Sequence, residues 1–163
     1  MELHGKIHRL PGLAKLLIGC FVITLSFGYF TGLLFIRENT QMTVQGVEEH
    51  YLGNEQDEDA EIMKFRKSDK EIITTIHNHV ISMSLIFLAL GAILLTTSLN
   101  SKLKKVLIVE PFVSILLTFG GIWLLWEGVL WFKYIVMISG MALTVTFALS
   151  VLLILVQLFK RST

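Results

Sequence analysis

One cysteine, Cys20, is all the chain contains, which excludes an intramolecular disulfide framework and any Cys-x-x-Cys metal site. Charge is scarce: Asp, Glu, Lys and Arg make up 17% of the 163 residues, against roughly 25% in an ordinary soluble domain. With a net charge of only +1 and no polybasic surface, nucleic-acid binding is not expected. There is no Gly-rich phosphate loop, no Ser-His-Asp arrangement and no pair of catalytic carboxylates with credible spacing. Nucleophilic catalysis would fall to Cys20 or to a serine in an apolar stretch with no base beside it, so an enzyme is not the expectation. No Asn-x-Ser/Thr sequon occurs, and no tandem or inverted half-helix repeat of the transporter kind is visible.

What the chain does have is apolar length. Hydrophobic residues make up 53% of it and the mean hydropathy is +0.68. They fall into four runs, over 13–36, 73–98, 103–126 and 134–159, each near the ~20 residues needed to cross a hydrocarbon core of about 30 Å. The expectation is an all-α integral membrane protein: one domain over 1–163, with four transmembrane helices in an up-down antiparallel bundle. Residues 37–72 form an extracytoplasmic loop and an extension of the second helix. Only residues 99–102 and 127–133 join the later spans, so those helices must run antiparallel as neighbours. Lys6, Arg9 and Lys15 before the first run suggest a signal peptide. The apolar stretch before Cys20 is too short for one, which favours a retained helix with Cys20 as a small packing residue.

Orientation follows from Lys and Arg near the span ends. Lys6, Arg9, Lys15, Lys102, Lys104, Lys105, Lys160 and Arg161 place eight on one side; the other side has six, five of them in the long loop plus Lys133. The first side is expected to be cytoplasmic, with both termini inside, in a bacterial cytoplasmic (inner) membrane. Trp126, Trp131 and Tyr134 read as an interfacial aromatic belt on the outer side. Small residues that let helices approach closely in lipid appear as Gly28 and Gly32, Gly120 and Gly121, and the series Gly140, Thr144 and Ala148. These faces are expected to point into the bundle, with a homo-oligomer interface as the alternative.

The 37–72 segment holds ten acidic and five basic residues. Its run over 54–59 reads as solvated acidic loop. Before it, residues 44–52 suit two turns of helix, with Gly53 as the stop. Ser68 and Glu71 have the spacing of a capping box, so the second span should begin above the membrane.

Thr74, Thr75, His77, Asn78, His79, Ser82 and Ser84 concentrate polar groups on that span. At about 1.5 Å per residue, His77 and His79 lie roughly 13 and 16 Å from Ser68, at or just inside the outer interface. Polar groups at such depth are functional candidates by default. Residues two apart on a helix leave it about 200° apart, so both imidazoles cannot serve one ion unaided. A metal site would draw one of them together with His50, Glu49, Glu48 or Glu127, a donor set suited to a non-haem transition metal. Bis-histidine haem would need His50 as the second axial ligand, since His4 and His8 belong to the opposite side. A quinone or lipid headgroup contact, and plain interhelical bonding, are the other readings.

Glu110 is the second lead. A helix starting at Pro111 would be too short to span, so Glu110 should lie within the inner leaflet beside a proline bend. There it suits a proton or cation relay. Alternatively it reaches Lys104 or Lys105, or bonds Gln157 or Thr97. Together these residues describe a small structural, assembly or accessory subunit whose partners are the bilayer and other membrane proteins. The competing roles are redox or metal handling at the outer histidines and an ion pathway through Glu110.

Overall fold

Lipid offers no partner for a backbone N–H or C=O, so an apolar segment long enough to cross it must close its hydrogen bonds internally as helix. A computed structural model describes residues 7–57, 60 and 62–159 of the chain. Among these residues there is helix and no strand: α1 Gly12–Thr40, α2 Val44–Leu52, α3 Asp69–Leu95, α4 Ser101–Trp126 and α5 Phe132–Leu158, preceded by a 3₁₀ turn over Ile7–Arg9. Four of the helices, α1, α3, α4 and α5, are long and apolar enough to cross a membrane. Lys6, Lys160, Arg161, His4, and Glu58 and Asp59 of the acidic run lie outside the described residues.

Helix ends follow local chemistry. Thr43 caps α2 by accepting from Gly46 N, and Gly53, at φ +80°, stops it. The expected capping box opens α3: the Ser68 hydroxyl accepts from Glu71 N and the Glu71 carboxylate accepts from Ser68 N. Asn100 opens α4 by accepting from Lys102 N. α4 runs unbroken through Pro111, which cannot donate to the helix ladder.

α4 is the central helix, with 44% of its apolar window buried, whereas α1 has 11%. Antiparallel register between α4 and α5 is set by the Thr118 and Ser139 hydroxyls, 2.7 Å apart, and by Gly121 against Val136. Gly91 beside Ile108, and the His79 ring stacked on Phe119, set it for α3 and α4. α1 lies along α5 through Gly19 near Leu158 and Tyr29 stacked on Phe147 at 3.9 Å. α2 lies across one end of the bundle, against α1, α4 and α5. At the opposite end Ile7 is fully buried and its N–H donates to Thr96 O.

The small-residue faces largely contradict the expectation that they line the bundle. A Cβ added at Gly28, Gly32, Gly120 or Gly140 would meet nothing within 4 Å, and Ala148 is exposed. Gly121 does pack, with Val136 3.0 Å from such a Cβ, and Thr144 bonds Tyr29. The reason is geometric: α1 meets α5 along the edge that carries Gly19, Val22 and Tyr29. Gly28 sits about 100° off that edge, as Gly120 does relative to Gly121. Cys20 is likewise exposed rather than packed.

Candidate functional site

The polar stretch of α3 is held by the capping box above it and by α4 beside it. The α3/α4 register puts the Trp126 turn level with Ile73, so His77, Asn78 and Ser82 lie about 6, 7 and 13 Å farther along α3. His79 is oriented on both sides: Nδ1 lies 2.8 Å from Thr75 O, and its ring stacks on Phe119 with centroids 5.1 Å apart. Ser82, also exposed, donates its hydroxyl back to Asn78 O of its own helix at 2.6 Å. Thr74, His77 and Asn78 are exposed, and their side chains have no hydrogen-bond partner among the described residues.

Two of the carboxylates expected near these histidines, Glu48 and Glu49, are engaged elsewhere. Lys133 Nζ donates to Glu48 at 2.5 Å, which ties α2 to the start of α5. Glu49 pairs with Lys64 at 3.5 Å and accepts from Gln45 Nε2 at 2.9 Å. Glu127 is exposed where α4 ends. His50 lies half-buried on α2 with its ring edge-on to Tyr51. Desolvation by burial, then the Lys67 and Lys64 charges, hold His50 below its ordinary pKa, and burial pushes Tyr51 up to about 12. Among the described residues no three His, Cys, Asp or Glu side chains form a group able to hold a metal ion. His50, Glu49, His77 and His79 therefore do not come together as one such group.

The segment leading into α3 is strapped to the bundle. The Arg66 guanidinium donates to Trp126 O at 2.7 Å and lies 4.9 Å over its ring, and Trp126 Nε1 donates to Lys67 O at 2.8 Å. Trp126 is thus a half-buried clamp, while Trp131 and Tyr134 are exposed.

Glu110 lies about 9 Å along α4 from Lys104. Among the described residues Glu110 takes a different partner from those expected of it. Lys104 Nζ donates to Thr97 O and Leu95 O, and Gln157 Oε1 accepts from Ser98. Glu110 Oε1 instead accepts a short hydrogen bond from Ser114, one turn on, while its buried Oε2 has no partner. Ser150 on α5 has the other buried orphan, its Oγ. The register places Glu110 level with Phe147, within a turn of Ser150. Tyr29 stacks on that Phe147 and lies 3.2 Å from Thr144 Oγ1. Sequence reasoning missed Tyr29, Ser114 and Ser150. Ser114 could have been found as the i+4 neighbour of Glu110, whereas nothing local couples Tyr29 to a residue more than a hundred positions away.

The family described as a transmembrane helical domain, Aq_1264_TM, matches residues 41–163. That stretch holds α2 to α5 and begins where α1 ends. No curated protein and no solved structure matches the chain.

Proposed function

The chain belongs to the Aq_1264_TM family of transmembrane helical domains, and we propose that it works there as a small structural, assembly or accessory subunit of a membrane complex. The observation that carries this reading is the exposed pair His77 and Asn78, unpartnered among the described residues where α3 enters its apolar span, with Thr74 one turn before them. A polar group turned toward hydrocarbon without a partner costs of order several kcal/mol, which lipid tails cannot offset. Another membrane helix supplying donors and acceptors removes that cost. The test is purification from native membranes in mild detergent, for the natural chain and for Asn78→Leu. A stoichiometric membrane partner, or self-association, weakened by the substitution is the expected outcome. A monodisperse monomer that binds nothing and is indifferent to Asn78→Leu would sink the reading.

The orphaned Glu110 Oε2 supports a second role, a proton or cation relay, because an acceptor buried at this depth is a ready stopping point for a cation. In proteoliposomes, flux of protons or monovalent cations is expected from the natural chain and not from Glu110→Gln. Flux that survives the substitution, or no flux at all, removes this role. The eight-to-six distribution of Lys and Arg supports an orientation with both termini inside and α2 outside, in what we read as a bacterial cytoplasmic membrane.

A further inference from the structure

The exposed side of α3 has a period as well as a composition. Asn78, Ile81, Leu85, Leu88, Ala92 and Leu95 are all exposed, and they follow Thr74 at intervals that alternate strictly between four and three. That row lies on one face of the helix and fits the a and d spacing of a left-handed coiled-coil seam. With Ile81 and Leu88 at d, the positions Asn78, Leu85 and Ala92 fall at a. The other side of α3, carrying Phe87, Leu90, Gly91 and Leu94, is buried within the bundle. One helix therefore has two apolar faces, and the chain itself covers only one.

We propose that this row is the contact of a parallel homodimer, α3 against α3 of a second copy, with an Asn78 pair near its first end. The proposal rests on the accessory-subunit reading and names its partner. Two copies inserted the same way place their α3 helices parallel and at the same depth, so each seam residue meets its own counterpart across a twofold axis. A carboxamide is the side chain that such symmetry satisfies, because it has both donor and acceptor and each copy supplies what the other lacks. A different polypeptide would need its own polar group placed at this depth. A single Asn at an a position also fixes register and oligomer state in coiled coils. At the far end of the row Ala92, small and exposed, lets the two backbones come close. The His77 imidazole, one position before Asn78, lies at the rim of the same contact, where its unpartnered nitrogens also gain neighbours.

The experiment is cysteine cross-linking in native membranes, in the full-length chain with Cys20→Ser as background. Single cysteines at Ile81, Leu85 and Leu88 report the seam, and one at Leu116, on the exposed side of α4, reports the rest of the surface. Disulfide-linked dimers are expected at the three seam positions and not at Leu116. In lipid or mild detergent, Asn78→Leu should weaken self-association about three- to twentyfold, and Asn78→Gln should restore part of it. Each alternative reads differently. Cross-links at Leu116 equal to those at the seam, or a mass of three or four copies, overturn the twofold α3 contact. Adducts with a polypeptide of another mass overturn the second copy as partner and leave the accessory-subunit reading standing. A chain that stays monomeric and uncross-linked, with no partner, overturns both.

Discussion

His50 is a candidate ligand by its place on the same side as His77 and His79; the fold turns its neighbour Glu49 to Lys64 and leaves His50 half-buried near two lysines. The folded state therefore favours neutral imidazole. Because its folded pKa lies below the ordinary 6.5, the stability it contributes is complete above pH 6.5 and is lost as pH falls through the folded value. The thermal midpoint of the natural chain should accordingly drop on acidification below 6.5 by more than that of His50→Gln; parallel curves would show that His50 takes no part. His77 and His79 divide in the same manner. Their opposite directions were legible from the helix repeat, but which of the two would meet Phe119 depended on where α4 lies.

Helix boundaries were the most legible elements, because capping is written in a few neighbouring residues. Ser68 with Glu71 opens α3, and Gly53 closes α2, where sequence reasoning placed them. Facing is a different matter. Gly120 and Gly121 are indistinguishable as composition, yet only Gly121 lies against α5, with Val136, Phe132 and Ile135 around the place of a Cβ. Gly121→Leu should cost about 1–3 kcal/mol through overpacking of the α4/α5 contact. Gly120→Leu, pointing into open space, should be close to neutral. Equal effects on the denaturation midpoint in mild detergent would show that this contact does not distinguish them. The Thr118–Ser139 bond beside it adds about 0.6 kcal/mol, the usual scale of an interhelical hydrogen bond in lipid.

At the scale of the molecule, α1 stands apart. The family match begins at residue 41, just past α1, and α1 is the least buried of the four long helices. Beside the buried Val22, its hold on the bundle includes Tyr29, stacked on Phe147 and bonded to Thr144. Tyr29→Ala should therefore speed amide exchange along α1 while α3, α4 and α5 keep their protection, and Tyr29→Phe, which keeps the stack, should fall between. Loss of protection throughout the bundle would instead make α1 part of one cooperative unit with the rest. The division between sequence and tertiary structure has one physical cause. The number of long helices, their antiparallel succession and their end points depend on apolar length, short connections and capping chemistry, all of which act between near neighbours, so the sequence by itself determined them. Which face of each helix is covered depends on which other helix stands beside it. Only the tertiary structure could decide that Gly28 looks outward, that Glu110 shares a level with Phe147 and Ser150, and that Asn78 lies on a face the chain leaves open.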